Sequence, residues 1–505
     1  MLHNDLKFYS NKTPGKVAII SNEKSYTYGE LWLDCNKIAN WINSNLDCEA
    51  KVGIMLENCI ESVLAVFGVS IAGFISVPLD SDIHERNLQF IIKDSSIKLI
   101  ITSSEYIKRI EKINSTNSLF IVYVGDFIPN NKYYHFDKML SLDNDENLIG
   151  KNVSVFDTAA IFYTTGTTGP KKGVELSHQN LIATTTNINE FMKIGSWAIE
   201  SLPMRLSHSF GFGRIRCVFQ VGGTIILENG FLRPEILINN MLKYKANGIS
   251  SVPLGFVILL EYYNDFFKKL SHGIKYIEIG SASMKNKHKK MLMKLCPTAR
   301  ICMHYGLTEA SRSTFIEFNS EKNKLNTIGK PSPNVEVKIV NKKYESVELN
   351  EVGEIIVKGP NVMKGYLNKS DLSNKYINNS WFRTDDFGSM DSDGYVQFFG
   401  RKKEIINIRG FMVAPIEVEN VLMKYDGVKQ AAVVGIKSND KLSDKMIKAF
   451  IVIDNDNLSL DDLKTYSIEN LEPYKVPESF EIINSIPVTS SGKIQRNLLE
   501  NINRQ

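Results

Sequence analysis

A chain of 505 residues exceeds what one hydrophobic core organises, so two to four lobes are expected. Hydrophobic residues at 43% and charged residues at 23% are ordinary for a soluble globular protein. The 60 basic against 56 acidic residues leave a net charge of only +4, which gives no reason to expect a nucleic-acid partner.

The N-terminus, Met1-Leu2-His3-Asn4-Asp5, lacks the basic-then-apolar order of a signal peptide. Val17 to Ile20 reads as a strand, followed by an amphipathic helix through Leu31, Ile38 and Trp41 that Thr27-Tyr28-Gly29-Glu30 opens with a capping-box pattern. Val52 to Leu56 is the next strand. Ser62 to Leu79 is uncharged and approaches the length of a membrane span, about 18 residues. Gly68, Gly73 and Pro78 interrupt it, so it reads as a buried helix, a turn at Gly73 and a buried strand, with no membrane span. Strands at Lys98–Thr102 and Leu119–Tyr123 continue a strand-helix alternation that argues for α/β layers with parallel strands. Residues 125–150 are polar and Asn-rich, a surface excursion. Six cysteines without C-x-x-C or zinc spacing are expected to be reduced thiols of a cytoplasmic protein.

Ile161-Phe162-Tyr163 ends a buried strand and leads into Thr164-Thr165-Gly166-Thr167-Thr168-Gly169-Pro170-Lys171-Lys172-Gly173. Glycines bring backbone N–H groups close to a ligand, threonine hydroxyls add donors, and lysines add charge, a combination suited to a polyphosphate. The spacing is not the Walker pattern, and a mobile surface turn is the plain alternative. Ser177 then caps a helix containing Asn180 to Phe191. Thr224–Leu227, Gly248–Val252 and Tyr276–Gly280 restart the strand rhythm, and from about 325 to 400 shorter alternating strands favour a small antiparallel barrel-like sheet. After Gly400 the basic run Arg401-Lys402-Lys403 introduces a last αβ unit.

Three further stretches carry chemistry. Tyr305-Gly306-Leu307-Thr308-Glu309 follows a strand and can stack a base, contact a phosphate and ligate magnesium. Thr384-Asp385-Asp386 offers carboxylates for a ribose diol, and Lys493 lies on a turn near the C-terminus. A core tyrosine, solvated aspartates and a surface lysine explain each separately but not their joint order.

In that order they resemble the adenylate-forming superfamily of acyl- and aryl-CoA synthetases, firefly luciferases and peptide-synthetase adenylation domains. The resemblance runs from Tyr28-Gly29-Glu30-Leu31 to Lys493. It implies an α/β fold with a large N-terminal domain (1–400) of layered α/β subdomains plus a small β-barrel-like subdomain. A small mobile α+β domain (401–505) would follow, with a hinge at Lys403, where a solvated lysine is the alternative. Two departures stand out. Pro170 comes one place early, with Lys171 where the family has proline, and Asp385 takes the glycine place of Thr-Gly-Asp, which leaves Asp386 as the ribose carboxylate.

The implied reaction is attack of a carboxylate on the α-phosphorus of ATP, then transfer of the acyl group from acyl-AMP to the thiol of CoA. By resemblance Lys493 bridges carboxylate and α-phosphate, Thr308 contacts the α-phosphate, and Glu309 holds Mg2+. Tyr305 stacks on adenine beside Gly280-Ser281-Ala282, Asp386 and Arg401 hold the ribose, and Thr164, Thr165, Gly166, Thr167, Thr168, Gly169 and Lys172 close over the outer phosphates. Arg409-Gly410 would line the pantetheine tunnel. In the acyl pocket, His208 matches an aromatic gate, although its pattern alone reads as a packed core histidine. Ser209 replaces the aspartate that would hold an α-amine, and Arg214 is either a surface salt bridge or the reader of a polar group at the far end of the acyl chain. Two alternatives remain: a stand-alone enzyme loading the phosphopantetheine of a separate carrier protein, and a nucleotide-binding protein without catalysis.

Overall fold

The computed structural model describes residues 1–47, 50–113, 119–126, 133–141, 153–164, 171–408, 411–437, 445–454, 458–488 and 494–501. The chain divides into two compact units. The first comprises residues 1–325, 329–336 and 357–382; the second comprises 326–328, 337–356 and 383–505. Residues 337–356 and 383–400 fall in the second unit. Their strand Val396–Arg401 packs against the helix Pro415–Leu422.

Two large sheets build the first unit. One has eight strands in the order Gly365–Tyr366, Lys172–Ser177, Thr158–Thr164, Ile75–Pro78, Lys51–Met55, Ile97–Ser103, Phe120–Val124 and Tyr134–His135. Its central strands are parallel and almost wholly apolar, as burial on both faces requires. The other sheet has nine strands, with Ile199–Leu202, Gly248–Ser251, Tyr276–Ile279 and Arg300–Tyr305 parallel at its centre. Helices bind the two together: Phe67 of the helix Ile60–Ile71 meets Phe219 of the helix Ser209–Gln220 at 5.4 Å between rings.

Local sequence explains the element starts. Thr27 accepts from the Glu30 N–H at 3.2 Å while Glu30 accepts from the Thr27 N–H at 2.8 Å, completing the capping box of the helix Tyr28–Asn45. Ser177 and Asn180 do the same for the helix His178–Met192. Ser62–Leu79 resolves as the buried helix, a turn at Gly73 with φ of +77°, and the strand Ile75–Pro78. No helix among the described residues is long and apolar enough to cross a membrane. The excursion at 125–150 is corrected in part: Tyr134–His135 adds a strand to the sheet edge, and Tyr133, Phe136 and Met139 are buried under it.

In the second unit, Gly353–Lys358, Trp381–Met390 and Val396–Arg401 share one sheet, the last two antiparallel. Beyond it, Val428–Lys437, Lys445–Ile453 and Ser479–Ile482 form a three-stranded sheet. The helices Pro415–Leu422 and Leu460–Asn470 supply Val418, Leu422 and Leu463 to its core.

One buried carboxyl makes this fold sensitive to pH. Glu228, beyond the strand Thr224–Leu227, is pushed up to about 7 by burial, against the hydrogen bond from Asn240. Its folded value lies above the unfolded one, so its neutral form is favoured and stability declines as pH rises from about 4.5 to 7. Glu228→Gln is expected to remove that decline, gaining up to about 3 kcal/mol over the parent by pH 8. Denaturant unfolding across pH measures the difference, and identical pH slopes for the two proteins would refute it.

Candidate active site

The Gly/Thr stretch leaves the eight-stranded sheet at Thr164 and re-enters it at Lys172, which stand opposite each other in antiparallel register. Residues 165–170 between them, including Thr165, Gly166, Thr167, Thr168 and Gly169, lie outside the described residues. The Lys172 ammonium lies over two aromatic rings, 5.2 Å from the centre of Tyr366 and 5.4 Å from that of Tyr376. Tyr366 is brought there because Gly365–Tyr366 pairs antiparallel with Lys172–Ser177. Its hydroxyl donates to Glu309 Oε1 at 3.0 Å. Glu309 and Lys172, 137 positions apart in sequence, therefore meet on either side of one tyrosine.

The loop carrying Glu309 is tightly built. Leu307 and Ala310 exchange backbone hydrogen bonds of 3.1 and 3.2 Å across Thr308-Glu309, and the Met363 N–H donates to the Glu309 carbonyl at 2.8 Å. Gly306 must be glycine, since a Cβ there would lie 2.4 Å from the Arg312 nitrogen. Tyr305 is half-buried at the end of its strand. The neighbouring parallel strand Tyr276–Ile279 delivers Gly280-Ser281-Ala282 beside it, with Ser281 exposed at a φ of +72°. Loops at the carboxyl ends of parallel strands are where open α/β sheets bind ligands.

Asp80, just past the strand Ile75–Pro78, gathers a second cluster. Arg205 Nη1 reaches its Oδ1 at 2.5 Å and His208 Nε2 its Oδ2 at 3.0 Å, while Arg205 Nη2 also meets Asp82 at 2.8 Å. Burial pushes the Asp80 carboxyl up, but His208, the Asp82 N–H and Arg205 outweigh it and hold it well below the usual carboxylate range. Burial lowers the Lys171 ammonium, with the Asp80 charge acting against that shift. The expectation of a packed core His208 is corrected: its side chain is 55% exposed and joins this ion cluster. Ser209 follows it as the first residue of the helix Ser209–Gln220.

Arg214 requires the larger correction. It is neither on the surface nor open to a ligand, being wholly buried in an ionic network. Its Nε and Nη2 hold Glu200 at 2.9 and 2.5 Å, and its Nη1 holds Glu278 at 2.8 Å. Tyr276 donates to Glu200 at 2.8 Å, and His304 Nδ1 and Arg312 Nε approach Glu278 at 2.7 and 3.3 Å. Burial alone would raise Glu278, yet Arg312, Arg214 and His304 together hold it far below the usual range.

In the second unit, Asp386 and Arg401 are cross-strand partners, with Arg401 Nε 3.4 Å from Asp386 Oδ1. Asp386 is buried rather than solvated, and its N–H donates to Thr384 Oγ1 at 3.0 Å. Asp385 has a φ of +55°, the left-handed region that explains glycine as the usual residue there and that aspartate tolerates. Lys403 is exposed on the turn after Arg401. Arg409, Gly410 and Lys493 lie outside the described residues.

Sequence reasoning missed Tyr366, Tyr376, Arg205 and Asp80. Asp80 was legible in hindsight as the first charge after a buried parallel strand. The tyrosines and Arg205 gave no local signal. Among the described residues no cluster of three or more metal-binding side chains exists.

A family described as AMP-binding enzyme matches residues 7–367, and its C-terminal domain family matches 417–493. A long-chain-fatty-acid–CoA ligase of Bacillus subtilis is 31% identical over 96% of this chain and 92% of its own length. The o-succinylbenzoate CoA synthetase of Bacillus subtilis, solved with its acyl-adenylate intermediate, superposes with a TM-score of 0.84 at 26% identity, covering 98% of each chain. ATP-bound MatB of Rhodopseudomonas palustris shares the fold, with a TM-score of 0.90 at 22% identity over 100% of this chain and 99% of that one.

Removing Arg214 would take the guanidinium from buried Glu200 and one of three cationic partners from buried Glu278. Arg214→Leu is expected to lower unfolding free energy by about 3–5 kcal/mol. A loss under about 1 kcal/mol in chemical denaturation would show that the network is not held by this pairing.

Proposed function

The chain belongs to the AMP-binding enzyme family, and we propose that it is an acid–thiol ligase: it activates a carboxylic acid as acyl-AMP and passes the acyl group to CoA. One observation carries the reading. Glu309 and Lys172 meet across Tyr366 at the base of the Gly/Thr hairpin, a carboxylate for a phosphate-bound cation beside an ammonium for the phosphates themselves. Relatives that join acids to CoA align over nearly the whole chain and support it.

The first half-reaction asks one anion to attack another, so neutralising charge is the main catalytic task. Lys172, steered by two rings, faces the outer phosphates, and Thr308 donates to the α-phosphate. A Mg2+ ion at Glu309 would supply further positive charge to the phosphates. Tyr305 offers its ring to adenine beside Gly280-Ser281-Ala282, and Asp386 with Arg401 takes the ribose hydroxyls. His208, held by Asp80, faces the incoming carboxylate beside Ser209, and Lys493 spans carboxylate and α-phosphate. In the second half-reaction the region after Lys403 turns, and Arg409-Gly410 lines the path of the thiol. A cytoplasmic setting suits the free thiols of Cys35, Cys59, Cys217, Cys296 and Cys302.

Carboxylate-dependent pyrophosphate release, run with CoA, with a phosphopantetheinylated carrier protein and with neither, tests the reaction and names the acceptor. Absence of release with every acid would end the ligase reading. Lys493→Ala should abolish adenylation while a supplied acyl-adenylate still reacts with thiol; equal loss of both steps would remove its assigned role. Lys403→Pro, which fixes φ near −65°, should spare adenylation and slow thioester formation, so unchanged thioester kinetics would count against a hinge there.

A further inference from the structure

One buried side chain ties the two large sheets of the first unit together near the ends of their strands. Asn58 stands between the strand Lys51–Met55 and the helix Ile60–Ile71, and is 4% exposed. Its Nδ2 donates to the Met204 and Glu228 carbonyls at 2.9 Å each, with the Leu202 carbonyl at 3.5 Å. Its Oδ1 accepts from the Leu206 N–H at 3.0 Å. Leu202 ends one strand of the nine-stranded sheet and Glu228 follows its neighbour, the Glu228 N–H donating to the Leu202 carbonyl at 3.1 Å. Both ends of the amide are therefore engaged, as donor and as acceptor, and all their partners are backbone groups of the other sheet.

These bonds hold the segment that carries Arg205 and His208. Met204 and Leu206 flank Arg205, so the amide grips the backbone on both sides of it. The His208 N–H then donates to the Arg205 carbonyl at 3.1 Å, closing a turn that sets where the imidazole begins. From this turn Arg205 and His208 reach Asp80 at 2.5 and 3.0 Å. Asp80 is placed from the same strand that leads to Asn58. Ile54 stands opposite Pro78 in the parallel ladder, and the Leu79 N–H donates to the Ile54 carbonyl at 2.8 Å. Space confines the segment as well. A Cβ on Gly211 would lie 2.3 Å from the Arg205 carbonyl oxygen and 2.7 Å from that of Met204, so the helix Ser209–Gln220 already touches it. Both halves of the His208–Asp80 contact are thus measured from the strand Lys51–Met55, the carboxylate through the ladder and the imidazole through Asn58.

We propose that Asn58 is a positioning residue for the incoming acid: by clamping the backbone at 204 and 206 it sets the reach of His208 to Asp80, and so the aim of the imidazole. The effect on the acid rests on the ligase reading, whereas the control of His208 stands on the geometry alone.

The full chain tests this in three measurements. In protein labelled with 13C at histidine Cε1, the His208 line is identified by its loss in His208→Gln. Asn58→Ala and Asn58→Asp should each move that line by more than its width, whereas a merely stabilising residue would lower Tm and leave the line of the folded protein in place. Pyrophosphate release is then followed with whichever of hexanoate, hexadecanoate and benzoate is turned over. Asn58→Ala should raise KM for the acid about 10-fold and KM for ATP less than about 2-fold. Placed on His208→Ala, the same substitution should add less than about 2-fold, because the two residues act through one contact. In the parent, the Leu206 N–H should exchange with solvent at least about 1,000-fold more slowly than an open amide. An unmoved His208 line, an unchanged acid KM, an equal rise for ATP, or the same loss with and without His208 overturns the assignment. A fast Leu206 exchange in the parent overturns it even when no variant folds. Should no acid give release, the ligase reading fails, while the His208 line and the Leu206 exchange still decide whether Asn58 controls the imidazole.

Discussion

Glu278 is wholly buried, and three segments near the candidate site each send a cationic side chain to keep its charge paired. In a medium of low dielectric an isolated carboxylate would be protonated or would destabilise the fold. Arg214 reaches it from the helix Ser209–Gln220, His304 from the adjacent strand, and Arg312 from the turn after the Glu309 loop. One carboxylate thus fixes three segments relative to each other. Arg312 goes further, donating to the Ser209 and Phe210 carbonyls at 3.3 and 3.2 Å and locking the start of the helix that carries His208 and Ser209. Space is set by the same groups. A Cβ on Gly213 would meet the Arg312 guanidinium at 2.9 Å, and one on Gly280 would meet the His304 ring at 2.0 Å.

Around this rigid centre the reactive groups are held by softer contacts. Lys172 is steered by the faces of two rings, which orient an ammonium without neutralising it as a carboxylate would. His208 is tied to Asp80 but remains more than half exposed, so it can turn while its partner stays in place. The contrast suits a site that binds a polyanion and then a second anion. The charges around Glu278 are paired and buried, while Lys172 and His208 are left partly open. Arg216 differs from both, being buried while all its partners among the described residues are neutral.

Local grammar made much of the chain readable. The capping boxes at Thr27 and Ser177, the turn at Gly73 and the apolar parallel strands all follow from nearest-neighbour rules of hydrogen bonding and side-chain period, so they appear where the pattern placed them. Even a departure became intelligible: Asp385 occupies a glycine place because aspartate is among the few residues that tolerate a left-handed backbone. The order of the chemical motifs identified the family, since those motifs are short and contiguous.

What the sequence by itself determined, then, is which elements form, which family the chain belongs to, and where the short motifs shared with that family lie. Only the tertiary structure decided the state of each charge. Arg214 and Arg216 are two positions apart with the same side chain, yet one is neutralised by Glu200 and Glu278 and the other has only neutral partners among the described residues. Likewise His208 looked like core until Asp80, 128 positions earlier, was found beside it. The physical reason is that an ionic partner is chosen by proximity in space and by local dielectric, and neither is encoded in a residue's sequence neighbours.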